Sequence, residues 1–365
     1  MKALQIVCFD VPLPANYGGV IDVFYRIKAL HNAGISLVLH VFEYGRGQSV
    51  ELEQYAHKVI YYKRYNTPSR LLTSAPFIVS SRKNEELLNE LANREAPILF
   101  EGLHCCAYLN HPKLKNHKKY VRAHNIEHNY YQNLAEAERG FFRKVFFQRE
   151  ARKLQSFESV LQFADGIFAI SREDEEVLKR RYDDVYFLPP AHPFTLNQGA
   201  QKSNFALYQG NLAVSENEEA AIWLVEKVWL NMQVPLVIAG ANPSKALSEA
   251  IFTTPNVQLA ANPSQDEMDE LLSEARVQVI PGFRVSGVKL KFLAALFSGS
   301  PVITTPQMAE GTDLEALCHV AKSPNDFKEK VLACMEDNQS ANLDQSKLVP
   351  WEINNQVKVL KQVIE

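Results

Sequence analysis

Nowhere in the 365 residues is there a run of the roughly 18 apolar residues that a bilayer-spanning helix needs. The N-terminal apolar stretch LQIVCF (4–9) is stopped by Asp10 and Pro12, so it reads as a first β-strand rather than a secretory signal. Cysteine is scarce and odd in number: Cys8, Cys105, Cys106, Cys318 and Cys334. No Cys-x-x-Cys pair occurs, and the adjacent Cys105 and Cys106 make a poor disulfide, so buried thiols in a reducing cytoplasm are expected. Charge of one sign is also missing. A formal net charge of −3 argues against a dedicated nucleic-acid binder. Three motifs are absent as well. Without G-x-G-x-x-G and its acidic ribose partner, a nicotinamide oxidoreductase is disfavoured. Without H-E-x-x-H, the pair His124 and His128, with Glu127, lacks the usual zinc arrangement. No Asp-x-Asp pair stands at a strand end.

What is present is alternation. Hydrophobic residues make up 46% and charged residues 22%, a globular balance on a chain long enough for two cores. Short apolar runs at 4–9, 35–42, 97–100, 119–123, 166–170 and 185–188 are separated by segments of helical period such as 20–33 and 83–94. This predicts an α/β fold with a parallel sheet covered on both faces. Residues 189–203, PPAHPFTLNQGAQKS, interrupt the pattern and read as a linker. Alternation restarts at 205–210, 235–240, 256–260, 277–282 and 301–305. The expectation is two Rossmann-like, doubly wound domains, 1–195 and 196–350, facing across a cleft. A final amphipathic helix is expected within 350–365.

Ligands of open α/β sheets bind beyond the carboxyl ends of the strands, so the loops there are the candidate sites. The first ends in Gly18 and Gly19 and opens a helix whose free N–H groups suit an anion; a plain turn needing φ > 0 is the alternative. The second, Arg122 to His128, crowds His124, Asn125, Glu127 and His128 at a strand end. His124 there suits a sugar hydroxyl or a phosphate, against ordinary loop hydrogen bonding. The third holds Glu101 and His104, able to bind hydroxyls or to cap a helix. In the fourth, Arg284, Ser286, Gly287, Lys289 and Lys291 open an apolar helix and make a seat for a diphosphate, or else the lysines shield a solvated face. A fifth, weaker signal is the loop at Gly210.

One segment concerns partners. Residues 139–153, RGFFRKVFFQREARK, carry six basic residues, one acid and four phenylalanines, and Lys113, Lys115, Lys118 and Lys119 lie nearby in sequence. It reads either as a peripheral surface for anionic membrane or as a core helix with Phe142, Phe146 and Leu154 inward.

Together RAHNIEHNYY (122–131), YQGNLAVSENEEAAIWLVEKVW (208–229) and SGVKLKFLAALFSGSPVITT (286–305) resemble the GT-B-fold glycosyltransferases of family four, many of them retaining enzymes of bacterial surface-polysaccharide synthesis. The resemblance covers nearly the whole chain. It implies transfer of a hexose from a nucleoside diphosphate-sugar to a hydroxyl of a glycan or lipid-linked acceptor, with no metal, no cofactor and no nucleic acid. Gly18, Gly19, Gly210, Arg284, Ser286, Gly287 and Lys289 would lie at the donor. His124 would sit near the reacting sugar and Lys291 at the diphosphate. Glu101, His104, Asn125 and Glu127 would serve the acceptor. The last helix would return to the N-terminal domain, and the enzyme would work in the cytoplasm, at the inner membrane face if the basic segment docks. The chain departs from the family pattern where relatives carry two glutamates: the second falls on Ala294 and the first near Ser286. Ala294 keeps open a GT-B protein that binds a glycan, a nucleotide or a partner enzyme without turnover. A sugar-nucleotide epimerase is a further alternative.

Overall fold

The computed structural model describes residues 2–197, 201–283, 289–336 and 344–365. The chain divides into an N-terminal unit, Met1–His192 with Pro350–Glu365, and a C-terminal unit, Pro193–Val349.

In the N-terminal unit the strands are β1 (Ala3–Cys8), β2 (Ser36–Glu43), β3 (Lys58–Lys63), β4 (Ile98–Glu101), β5 (Lys119–Ala123), β6 (Gly166–Ala169) and β7 (Val185–Phe187). They pair in the order β3-β2-β1-β4-β5-β6-β7, all parallel. Central strands covered on both faces need continuous apolar sequence. β1 meets this: Leu4, Ile6, Val7 and Cys8 are all fully buried. Its helices include α1 (Gly18–Asn32), α2 (Glu85–Ala92), α3 (Glu127–Ala137), α4 (Phe141–Phe157) and α5 (Arg172–Lys179). α2 starts where it does because the Asn84 side chain accepts from Glu86 N at 2.8 Å and Leu87 N at 3.3 Å, with two acids in the first turn.

The C-terminal unit repeats the plan. Its strands β8 (Ser203–Gln209), β9 (Leu236–Gly240), β10 (Val257–Ala261), β11 (Ala275–Ile280), β12 (Val302–Thr304) and β13 (His319–Val320) pair in the order β10-β9-β8-β11-β12-β13, again all parallel. Helices α6 (Ser215–Trp223), α7 (Lys245–Phe252), α8 (Gln265–Glu274), α9 (Leu290–Phe297) and α10 (Pro324–Glu336) cover it. α8 opens on a capping box between Ser264 and Glu267. The core gathers around Trp229, Tyr208, Ile238 and Phe327.

The last helix, α11 (Ile353–Ile364), packs Val357, Leu360 and Ile364 into the apolar cluster that also holds Leu4, Ile27 and Leu37. Tyr120 donates to Val363 O at 3.1 Å, and Lys361 to Ala33 O at 3.2 Å. So the amphipathic face read from sequence is buried within the N-terminal unit.

Two strands escaped the sequence reading: β13, only two residues long, and β3. β3 is an edge strand with Lys58 and Lys63 exposed and only Tyr62 fully buried, so its apolar run is short and bracketed by charge. In each sheet the strand order reverses at the first strand and its later neighbour, β1 with β4 and β8 with β11. Loops leaving those strands at their carboxyl ends diverge to opposite faces, and this switch point is where such sheets take ligands.

Candidate functional site

At the switch point of the first sheet the side chains are charged and buried. Asp22 projects from α1, Arg122 from β5, and Glu101 ends β4; all three, with Arg26, are essentially inaccessible. Burial alone would raise the Asp22 pKa. The charges of Arg122, Arg26 and His124 and the Ala191 N–H together outweigh it and hold the carboxyl low. Asp22 accepts from Arg26 at 2.8 Å, from Ala191 N at 2.7 Å and from Arg122. Arg122 also donates to Leu188 O at 3.2 Å and Pro189 O at 3.0 Å. Burial, then repulsion from Arg26, lowers Arg122 to about 10, so it stays charged at neutral pH. Two carboxylates thus balance two guanidiniums.

His124 forms the outer edge of this network. Its Nε2 donates to Glu101 Oε2 at 2.8 Å, and its ring meets Phe9 edge-on at 5.4 Å. Glu101 is fully buried: its Oε2 holds His124 and orients the imidazole, while its Oε1, 3.8 Å from Arg26 Nε, has no hydrogen-bond partner. Gly102 makes that turn possible. Its φ is +80°, and a Cβ there would stand 2.8 Å from His104 Nδ1.

His104 and Glu127 lie beside His124. His104 Nδ1 and Glu127 Oε1 approach to 3.9 Å, and neither atom has a hydrogen-bond partner. Burial keeps His104 well below the usual imidazole range, so it is neutral. Burial also raises Glu127 from 4.5 to about 8, against a hydrogen bond from Asn125. A neutral acid and a neutral imidazole with unmet hydrogen bonds suit a hydroxyl. Asn125 is exposed. His128 is elsewhere: it chelates Glu158 with Nδ1 at 2.7 Å to both oxygens and fastens the start of α3. Among the described residues no three His, Cys, Asp or Glu side chains are grouped as metal ligands.

Gly18 and Gly19 are the first residues of α1, with no side-chain cap and no acid in the first turn. Neither has positive φ, so the plain-turn alternative falls. A Cβ on Gly19 would come within 3.1 Å of Phe9, whereas Gly18 faces open space.

In the C-terminal unit Lys291, in the first turn of α9, reaches back to the end of β8. Its Nζ donates to Asn217 Oδ1 at 2.9 Å and to the Tyr208 hydroxyl at 3.3 Å, and lies 5.2 Å from the Tyr208 ring. Burial, then repulsion from Lys289, lowers its pKa to about 8. Among the described residues no carboxylate comes within ion-pair distance. Asn217 is fixed in turn, donating to Asn211 O at 2.9 Å, and Gln209 donates to Lys291 O at 2.7 Å. Gly210 leads into this loop. Gly240 lets the next loop close against it, since a Cβ on Gly240 would overlap Gly210 O at 1.9 Å. Lys289 caps α9 and is half-buried. Arg284, Ser286 and Gly287 lie outside the described residues. Ala294 is buried among Leu207, Ala239, Leu272 and Ala275.

The basic segment forms α4, but neither sequence reading fits it whole. Leu154 and Ala151 are buried, whereas Phe141 and Phe142 are 72% and 87% exposed. Lys119 leaves the basic patch altogether: it is buried and donates to Leu109 O at 3.0 Å. No helix among the described residues is long and apolar enough to cross a membrane. Missed entirely were Asp22, Arg26, Arg64 and Arg82, each of which has at least one partner 17 or more residues away in sequence.

Two Rossmann-like domains, each with its polar groups at the carboxyl ends of its first strands, and a last helix returned to the first domain define the GT-B class. Residues 204–337, within the C-terminal unit, match the model of the family Glycosyl transferases group 1. A Klebsiella pneumoniae protein described as an uncharacterized 44.6 kDa protein in cps region is 25% identical over 331 residues, 86% of this chain and 85% of that protein. Sucrose-phosphate synthase from Thermosynechococcus elongatus superposes with a TM-score of 0.65 at 14% identity, over 100% of this chain and 96% of that one. S. aureus TarM, in complex with fondaparinux, α-GlcNAc-glycerol and UDP, superposes with a TM-score of 0.64 at 11% identity, over the whole of both chains.

The Glu127 carboxyl yields a pH prediction. Below 4.5 it is protonated whether the chain is folded or not. Between 4.5 and about 8 the unfolded chain releases the proton while the folded chain keeps it, so this group's contribution to stability falls as pH rises through that window. Glu127→Gln removes the dependence. Urea unfolding from about pH 5.5 to 8.5 should show a smaller loss of stability in the variant than in wild type. Equal slopes would contradict the raised value.

Proposed function

We propose that the chain transfers a hexose from a nucleoside diphosphate-sugar to a hydroxyl of a glycan or lipid-linked acceptor, with retention of configuration and without a metal ion. The observation that carries this is Lys291: a half-desolvated cation without a carboxylate, held by Asn217 and Tyr208 at the switch point, within the segment matched by the glycosyltransferase family. As the glycosidic bond opens, negative charge grows on the leaving diphosphate. A pre-placed ammonium and the Gly210 loop stabilise that charge with no reorganisation, and Lys289 adds to the field. His124, oriented by Glu101, positions the sugar. The donor phosphate assists the incoming hydroxyl, as the family resemblance implies, so no protein base is assigned. His104, Asn125 and Glu127 receive the acceptor.

The cps-region relative fits a role in surface polysaccharide synthesis in the cytoplasm. The exposed Phe141 and Phe142 on a basic helix fit peripheral contact with anionic lipid. Vesicles of phosphatidylglycerol should sediment the wild type and leave a Phe141→Ser, Phe142→Ser double variant in solution. Equal sedimentation would remove the membrane contact.

A second reading follows from Ala294. Its apolar surroundings supply no carboxylate for a donor ribose, which favours a GT-B protein that binds without turnover. One panel separates the two. UDP, GDP, ADP and their common sugar conjugates are tested for thermal stabilisation and for sugar release to water or acceptor, with wild type and Lys291→Ala. One nucleotide should raise the melting temperature by mass action. The variant should lose that response and about 10²–10³-fold in kcat/KM. Binding without release supports the second reading. No response at millimolar nucleotide overturns both.

A further inference from the structure

Two arginines of the N-terminal unit have a partnership unlike that of Arg26 and Arg122. Arg82 is 5% exposed, yet among the described residues it donates only to carbonyls, Phe9 O at 2.9 Å and Ile78 O at 2.7 Å. Arg64 follows β3. Its guanidinium donates to the Ser81 hydroxyl at 3.1 Å and lies over the rings of Tyr44 at 4.7 Å and Phe77 at 5.7 Å. Tyr65 N donates to Ser81 O at 2.8 Å, and this stitch brings the two arginines to one place. Neither has a carboxylate within 4 Å among the described residues. Burial lowers both pKa values, and Arg82 falls to about 10, with Arg64 the next cause.

Buried charge is costly unless it is paired, and like charges brought together cost more. The neighbours do not supply the pairing. His104 is neutral, and Glu127 is mostly protonated at neutral pH. Asp10 lends its field to both arginines, but its oxygens accept from Val11 N at 2.8 Å and from the Tyr17 hydroxyl at 3.2 Å. Arg46, over the Tyr17 ring at 5.2 Å and bonded to Val11 O and Asn16, offsets Asp10. About two positive charges are left over. They stand by the ends of β1 and β3, next to His104 and Phe9.

We propose that Arg64 and Arg82 form a receptor for a phosphate carried by the acceptor, so that the substrate glycosylated by this chain is a phosphate-bearing molecule. A phosphate dianion balances two guanidiniums and accepts from both planar forks, whereas one carboxylate leaves a charge unmet. Phe9, Tyr44, Phe77 and Tyr131 give the site aromatic walls. That the bound molecule is an acceptor rests on the transferase reading; the anion site does not.

The test uses the full chain with Lys291→Ala, which removes the cation proposed for the donor. Inorganic phosphate, farnesyl phosphate and glucuronate are titrated by calorimetry. Phosphate should bind the Lys291→Ala chain, and adding Arg64→Gln should weaken it by tenfold or more. Arg64→Lys, which keeps the charge but not the fork, should fall between. Arg82→Gln should act like Arg64→Gln; if its lost carbonyl bonds unfold it, the Arg64 pair decides alone. Tighter binding of farnesyl phosphate than of phosphate supports a lipid-borne acceptor, and equal binding supports a soluble one. The site is overturned if phosphate fails to bind once Lys291 is gone, if Arg64→Gln leaves its affinity unchanged, or if glucuronate binds as well. Wild type and Arg64→Gln should respond alike to the nucleotide panel, so failure of the donor reading would show separately.

Discussion

Charge buried at the carboxyl ends of the first sheet is the constraint around which the N-terminal unit is organised. Removing four ions from water costs several kcal/mol each, and is tolerable only when each finds its counter-charge with good geometry. Asp22 meets that demand by drawing in Arg26, Arg122 and the Ala191 N–H. The same two arginines take the carbonyls of Leu188 and Pro189, and Gln356 on α11 donates to Pro190 O at 3.2 Å. Segments far apart in sequence are therefore fixed by one network. His124 is the member that reaches its surface, and its orientation is inherited from Glu101.

Against that charge-balanced network, the incompletely paired cations stand out. Lys291 by the end of β8, and Arg64 with Arg82 by the ends of β3 and β1, lose solvation and, among the described residues, have only neutral hydrogen-bond partners. A folded chain gains nothing from such an arrangement by itself. It makes physical sense when a ligand brings the missing negative charge, and a sugar donor with a diphosphate is a ligand of that kind. Lowered pKa values at the carboxyl end of a sheet, where ligands bind, are a common mark of function, and here each has a named cause.

Much of the architecture was legible because parallel strands write their burial directly into sequence. β1, β5 and β6 are short unbroken apolar runs, and α11 carries its stripe at helical spacing. β3 was not legible, since an edge strand keeps charge at both ends and shows little pattern. The site was only half readable. Lys291 and His124 stood out because they follow strands. Asp22 could not, because an acid inside a helix looks solvated until Arg122, a hundred residues on, is folded against it. Glu101 stood out too, but its bond to His124 was not legible, for the same reason: that partner is known only once β4 and β5 pair. Arg64 and Arg82 sit in a stretch with no strong periodicity, and nothing local says that they meet.

A Lys291 that receives the donor diphosphate is partly deprotonated at pH 8 until that anion arrives. A group with a pKa near 8 that gains an anionic partner must take up a proton. The direct measurement is calorimetry of UDP binding at pH 8 in two buffers of different ionisation enthalpy, for wild type and Lys291→Ala. Wild type should take up roughly half a proton more than Lys291→Ala at pH 8, a difference that shrinks towards zero near pH 6, where the lysine is already charged. UDP that binds wild type and Lys291→Ala with the same proton uptake would contradict this role for Lys291.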